Sequence, residues 1–256
     1  MSQTFLQGRH AIVTGGGRGL GAEIAWALAR AGASLTLMGR DAITLADTGN
    51  EIAAKCGVDV LTVECDVADE ASVVSAFHRA GDAYILVNNA GQSRGAELKD
   101  TSRALWDAMI NVNLTGTFLC TQQVLPVMQR NGEGRVINIA STAGLKGYTR
   151  ITAYCAAKHG VVGFTRALAA ETARTGVTVN AVCPSYVEGE MSDRAVAQIA
   201  EHRGIPEEQA RQKLTRLIPV GRLIKPAEVT AAVLWLCSPD AAAITGQAIA
   251  VAGGEV

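Results

Sequence analysis

Tyr154 and Lys158 stand four residues apart in the run Ala153-Tyr154-Cys155-Ala156-Ala157-Lys158-His159, and Ser141 lies thirteen residues upstream of the tyrosine. On a helix, residues i and i+4 share a face. An ammonium held beside a phenol favours phenolate and lowers the phenol's pKa from about 10. Such a tyrosine can exchange a proton with a substrate oxygen near neutral pH. The spacing alone is also that of an ordinary surface contact, so the pair gains meaning only from what surrounds it.

The elements that must position it begin with Ala11-Ile12-Val13-Thr14-Gly15-Gly16-Gly17-Arg18-Gly19-Leu20-Gly21, a short apolar run feeding a glycine-rich turn. An alanine-rich stretch with a helical pattern, Ala22 to Ala31, follows it. Glycines permit positive φ and close approach of a pyrophosphate, and the free N–H groups at a helix start favour negative charge. Strand, turn and helix N-terminus in this order make a phosphate cradle. Gly15, Gly19 and Gly21 are spaced G-x-x-x-G-x-G rather than G-x-G-x-x-G, with leucine at position 20. Taken alone, the loop is equally a tight turn.

Strand-like runs occur at His10 to Thr14, Ser34 to Met38, Asp59 to Glu64, Tyr84 to Asn88, Gly134 to Ala140, Val177 to Cys183 and Gln247 to Val251. Helical patterns alternate with them at Leu20 to Ala31, Asp41 to Lys55, Asp69 to Arg79, Thr101 to Arg130, Thr152 to Arg174 and Pro226 to Cys237. Mostly apolar strands separated by helices predict an α/β fold. Its form is a Rossmann-type doubly wound parallel sheet of about seven strands, with helices on both faces. The motifs fall at the carboxyl ends of the strands, where such sheets bind ligands.

The chain has 256 residues, of which 48% are hydrophobic, so it can bury a substantial core. No linker-like stretch divides it, and a single domain over residues 1–256 is expected. A net charge of -1 gives no electrostatic reason to expect nucleic acid or an anionic membrane as partner. Met1 to His10 carries no apolar signal core and no run approaches membrane-spanning length. The expectation is a cytoplasmic protein. Six cysteines without C-x-x-C spacing read as reduced, mostly buried thiols, and the four histidines are too dispersed to suggest a metal site.

Thr14 to Gly21, the run Asn88-Asn89-Ala90-Gly91, Asn113, Ser141 and the Tyr154/Lys158 pair together resemble the short-chain dehydrogenase/reductase family in its one-domain form. The resemblance covers essentially the whole chain. It implies hydride transfer between a nicotinamide cofactor and a ketone or secondary alcohol, with Asn113, Ser141, Tyr154 and Lys158 as the catalytic set. Tyr154 would supply the proton, Ser141 would orient the substrate oxygen, and Lys158 would hold the nicotinamide ribose and keep the tyrosine acidic. Asn113, favoured over Asn111 by its Asn-Leu-x-Gly context, would position a water linking Lys158 to solvent. Ser141 is equally a turn cap on residue type alone.

The cofactor site implied by the resemblance comprises Gly15, Gly17, Arg18, Gly19, Leu20, Arg40, Asp66, Val67, Asn89, Ala90, Gly91, Tyr154, Lys158, Pro184 and Val187. Asp66 and Val67 would meet the adenine, and Asn89 to Gly91 the ribose; their plainer readings are a helix N-cap and an ordinary turn. Gly39 stands where NAD-preferring relatives usually carry an acid. Arg40 follows it and Arg18 adds a second cation, a pattern that favours the 2'-phosphate of NADP(H). Asp41 beside Arg40 argues the other way, so NAD(H) stays open, as does an NAD-dependent secondary-alcohol dehydrogenase. A non-catalytic nucleotide-binding sensor on the same fold is the third reading.

Ser93, Arg94, Leu145, Tyr148 and Tyr186 are expected to face a small-molecule carbonyl substrate, a 3-oxoacyl thioester or related ketone by resemblance. Arg94 and Arg150 are candidates for an anionic group on it. The polar segment Tyr186 to Arg216 reads as a helical lid. Two departures stand out. Ser185 replaces the usual glycine after Pro184, and Gly189 stands where a threonine that bonds the nicotinamide carboxamide is expected, with Ser185 or Ser192 as replacements. Ala252 likewise precedes Gly253-Gly254 in place of the usual aspartate. A homotetramer assembled through the helices at Thr101 to Arg130 and Thr152 to Arg174 is implied by the resemblance.

Overall fold

The computed structural model describes residues 4–256. Met1 to Gln3, part of the stretch read for an export signal, lie outside the described residues. The strands are β1 (His10–Thr14), β2 (Ser34–Gly39), β3 (Val60–Glu64), β4 (Ile85–Asn88), β5 (Gly134–Ile139), β6 (Val177–Pro184) and β7 (Ala248–Val251). They form one parallel sheet in the order β3-β2-β1-β4-β5-β6-β7. The order reverses between β1 and β4, which opens a crevice at their carboxyl ends.

The helices are α1 (Gly19–Arg30), α2 (Ala42–Cys56), α3 (Glu70–Ala80), α4 (Arg103–Ile110), α5 (Gly116–Asn131), α6 (Thr152–Thr172), α7 (Glu190–Arg203), α8 (Glu207–Thr215) and α9 (Pro226–Cys237). The period-2 alternation of the strands sends successive side chains to opposite faces. Val13, Leu37 and Val87 pack with Ile24 and Leu28 of α1, Ile52 of α2 and Val233 of α9. Their neighbours Ile12, Met38 and Leu86 pack on the other face with Phe77 of α3, Val124 of α5 and Leu168 of α6. Every residue of β4, β5 and β6 is buried, as expected of strands covered on both sides.

Two expected helices differ from their sequence patterns. The run Thr101 to Arg130 is α4 and α5 joined by a π-helical turn at Asn111–Thr115. Ser102 starts it late by accepting from the Leu105 N–H, and the extra residue of the π turn places Asn113 where its side chain bonds the Met109 and Gln92 carbonyls. The segment 186–216 is two helices, because Gly204, with φ 60°, ends α7 and Pro206 restarts the chain before α8.

Behind the crevice, a chain of buried amides and hydroxyls crosses the sheet. Asn88 donates to Thr121 Oγ1 of α5 and to Asn138 Oδ1, both at 2.9 Å, and Asn138 donates to Thr165 Oγ1 of α6, also at 2.9 Å. The chain fixes α5 and α6 to the two central strands. Truncating Asn138 strands a donor on Asn88 and an acceptor on Thr165, so Asn138→Ala should lose about 2 to 3 kcal/mol of stability. Urea denaturation followed by circular dichroism measures the loss.

Candidate active site

The glycine turn is built around steric necessity. Gly15 and Gly19 have φ of 64° and 54°. A Cβ on Gly21 would lie 2.1 Å from the Gly15 carbonyl oxygen and 2.4 Å from Asn89 Nδ2. The turn is held from the neighbouring strand: Asn89 Nδ2 donates to the Thr14 carbonyl at 3.0 Å and to the Gly15 carbonyl at 3.2 Å. Thr14 Oγ1 accepts from the backbone N–H of Asn89 and of Ala90, both at 3.0 Å. This lacing spans the point where the strand order reverses. Helix α1 has no acidic residue in its first turn and no side-chain cap, so its first N–H groups are left without a side-chain acceptor and suit a phosphate.

Arg18, within this turn, and Arg40, just after β2, are exposed. Asp41, the residue that argued against a 2'-phosphate, is engaged elsewhere. Its carboxylate caps α2 by accepting from the Thr44 N–H at 3.1 Å and the Thr44 hydroxyl at 2.7 Å, and these bonds hold its pKa below the usual range. At Gly39 the nearest atom to an added Cβ is Leu45 Cδ2 at 3.6 Å, an ordinary contact. Arg18 stands 3.7 Å from Glu190 at the start of α7. The turn, the helix start and the two arginines fit a dinucleotide carrying a further phosphate.

After β3, Asp66 Oδ1 accepts from the Ala68 N–H at 3.0 Å. The cap of α3 is Asp69, which accepts from the Ser72 N–H, so the N-cap reading of Asp66 does not hold. Val67 is buried against α5, where Gly116 leaves it room. Gly17 packs on Leu45, and its carbonyl accepts from Thr48 Oγ1 at 2.6 Å. Leu20 packs on the core.

Ser141 follows β5 and Tyr154 and Lys158 lie in the first turns of α6. Gly144 sets their spacing, since a Cβ there would sit 2.6 Å from the Lys158 carbonyl oxygen, so the turn after Ser141 lies directly on the helix. Ser141 Oγ accepts from the Ala143 N–H at 3.1 Å, which makes it a turn cap as well as a neighbour of the phenol. Lys158 Nζ donates to the Ile139 carbonyl at 2.8 Å and lies 5.6 Å from the centre of the Tyr154 ring. Asn113 is buried, and its Oδ1 accepts from the Gln92 N–H at 3.2 Å. Gly91 joins the two: a Cβ there would be 2.8 Å from Asn113 Oδ1 and 3.7 Å from Lys158 Nζ.

The electrostatics correct one expectation. Tyr154 is not acidified: burial pushes its phenol up to about 12, opposed by the hydrogen bond from Ser141. The same burial pulls Lys158 down to about 8. Both groups are out of water, and burial is the largest cause of each shift.

On the substrate side the structure redraws several assignments. Tyr148 packs on the cluster of Tyr154 and Tyr186 lies near the Tyr154 phenol, while Ser93 and Leu145 are half-buried and Arg94 is exposed. Arg150, with φ 69°, is committed to Glu97 Oε1 at 2.9 Å and His202 Nε2 at 3.1 Å, so it is not a free anion site. Gly189 has φ 128°, where a threonine would be strained. Ser192 Oγ donates to the Val187 carbonyl at 2.5 Å, and Val187 bridges to Ile224 beyond Pro184. Cys155 and Cys183 are buried packing residues. Sequence reasoning missed Gln92, the anchoring role of Thr14, and Glu255, whose carboxylate closes over Tyr148 and Ser185. Only Thr14 carried a signal, as the hydroxyl residue that ends β1.

A seven-stranded parallel sheet reversing beside a glycine turn, with Ser141, Tyr154 and Lys158 at its carboxyl edge, defines a nucleotide-dependent oxidoreductase class. The chain belongs to the short chain dehydrogenase family, whose model matches residues 9–200. It is 45% identical over 250 residues to a granaticin polyketide synthase putative ketoacyl reductase of Streptomyces violaceoruber, covering 95% of this chain and 92% of that protein. It is 40% identical over 258 residues to a D-beta-hydroxybutyrate dehydrogenase of Cupriavidus necator, covering 98% and 99%. The crystal structure of a point variant of actinorhodin polyketide ketoreductase with NADPH superposes with a TM-score of 0.91 at 40% identity, covering 96% of this chain and 97% of that one.

Burying Lys158 has a measurable cost. Its folded pKa of about 8 lies below the ordinary value of 10.5, so the unfolded chain binds more protons between those values and stability rises with pH through that window. Below pH 8 the full penalty is present. Lys158→Met, which has no proton to bind, should therefore gain stability relative to the wild type as the pH falls from about 10.5 towards 8. Urea titrations of both proteins at pH 7 and pH 10 test the sign, and a stability difference that does not change between those values would contradict it.

Proposed function

We propose that the chain reduces the ketone of a 3-oxoacyl thioester or related compound with NADPH. The observation that carries the reading is the meeting of Ser141, Tyr154, Lys158 and Asn113 beside the glycine turn. The bound cofactor supplies the hydride. The chain's own residues manage the charge that develops on the carbonyl oxygen. Tyr154, held neutral by burial, is the proton donor. Ser141 donates to the same oxygen and fixes its direction, and each positioned donor of this kind contributes roughly 2.7 to 4 kcal/mol of transition-state stabilisation. Lys158, with a pKa brought to about 8, can restore the tyrosine's proton near neutral pH. Asn113 holds the Gln92 backbone on both its N–H and its carbonyl, which keeps the Lys158 side of the site in register.

The fit of the glycine turn and the engagement of Asp41 with Thr44 support NADP(H) over NAD(H). The substrate class is supported by relatives named for ketoacyl and β-hydroxy compounds. Helix α7, tied to the glycine turn by Arg18 and Glu190 and to the Glu97 loop by Arg150 and His202, and α8, joined to it by Arg211 and Asp193, are the lid. A homotetramer built through α4, α5 and α6 is supported by Trp106 and Phe118, apolar residues left exposed on α4 and α5. Six free thiols are in keeping with a cytoplasmic protein.

Turnover is read from loss of reduced-nicotinamide absorbance with a panel of 3-oxoacyl thioesters and cyclic ketones. Tyr154→Phe should lower kcat by roughly 10²-fold or more and leave the NADPH dissociation constant within about twofold. Gly39→Asp, for which there is room, should reverse the preference from NADPH to NADH. Equal activity of Tyr154→Phe would contradict the proton-donor assignment, and a wild-type preference for NADH would contradict the arginine argument.

A further inference from the structure

Against the segment that follows Ser141 lies a buried carboxylate that the reaction above does not use. Glu255, in the segment after β7, has a side chain only 1% exposed. Three side chains from two parts of the chain converge on it. Lys146 Nζ stands 3.1 Å from Oε1 and also donates to the Glu255 backbone carbonyl at 3.1 Å. The Tyr148 phenol lies 2.6 Å from Oε1, and Ser185 Oγ donates to Oε2.

The direction of these bonds follows from chemistry. An ionised carboxylate only accepts, so the single phenol proton of Tyr148 points at Glu255. The phenol oxygen is left to accept from the Thr142 hydroxyl, 2.7 Å away. A chain of donors therefore runs from Thr142 through Tyr148 to Glu255, with Lys146 and Ser185 completing the carboxylate's shell. Thr142 directly follows Ser141, and Ser185 directly follows Pro184. A carboxylate taken out of water costs several kcal/mol unless its lone pairs are filled, so each partner is held by the penalty of losing it.

This also gives a partner to Ser185, the serine found where the family usually has glycine. The turn after β6 is further fixed by the Ser185 N–H donating to the Val251 carbonyl at 3.1 Å. None of these bonds reaches the glycine turn.

We propose that Glu255 is a positioning residue for carbonyl reduction. It ties the segment 141–148 to the turn after β6, and so sets where Ser141 and the half-buried ring of Tyr148 stand against the substrate. The proposal rests on the reductase reading above.

Two variants and two readouts test it. Glu255→Gln replaces an all-acceptor group with one that turns a donor towards donors. Its kcat/KM for a 3-oxoacyl thioester should fall about tenfold or more with NADPH affinity within about twofold, and amide hydrogen exchange should quicken in residues 141–148 while residues 15–21 keep their protection. Tyr148→Phe cuts the same chain at its middle, and the double variant should be little worse than either single one. Unchanged kcat/KM and exchange in Glu255→Gln would overturn the proposal. So would a uniform rise in exchange with a matching loss of NADPH binding, the mark of a general stability role. If the wild-type protein reduces no ketone, the reductase reading fails, and the exchange pattern still decides whether Glu255 holds this segment.

Discussion

A lysine ammonium removed from water must be met by acceptors or give up its proton, and the burial of Lys158 imposes that condition on everything around it. Its nitrogen is satisfied by the Ile139 carbonyl at the end of β5, which requires α6 to lie close against that strand end. The close approach is possible because Gly144 has no side chain. The same approach brings Tyr154 beside Ser141. On the other flank, Gly91 lets Asn113 come up to the lysine. The four polar residues are thus arranged by one packing problem, the seating of a buried cation at the edge of a parallel sheet.

Around that centre the structure separates two tasks. The β1 to β4 side, laced by Thr14 and Asn89, offers a helix N-terminus and arginines to phosphate groups. The β5 to β6 side, laced by Glu255, joins the segment after Ser141, through Tyr148, to the turn at Ser185. Helix α6 belongs to both. The buried amides of Asn88 and Asn138, bonded to Thr121 and Thr165, hold the two halves together beneath the site. Polar groups inside a sheet are costly unless satisfied, and here their bonds join the helices that flank the site, with Asn88 Oδ1 alone among the four side chains left without a partner.

Much of this was legible in the sequence, and for physical reasons. Apolar strands alternating with helices declare a parallel sheet, and glycine is required where a turn takes positive φ or backbones touch, as at Gly15 and Gly21. The i, i+4 spacing of Tyr154 and Lys158 fixed their shared face. The direction of the Tyr154 pKa was not legible, because how deeply the phenol is buried shows only in coordinates. The role of Asp41 was ambiguous until its cap to Thr44 was seen. Glu255 lies far in sequence from Lys146 and Tyr148, and local pattern carries no trace of such a contact. The break at Asn111–Thr115 was missed because a π turn keeps the helical run of residue types unchanged.

In the proposed reaction this site delivers a hydride to a ketone carbon while Tyr154 protonates the oxygen. Incubation with NADPH bearing deuterium at the transferring C4 position and a 3-oxoacyl thioester, with the product analysed by mass spectrometry and NMR, tests it directly. One deuterium on the new carbinol carbon, in a single stereochemical configuration, is the predicted result. Cofactor that binds but leaves the ketone unlabelled and unreduced would contradict the account.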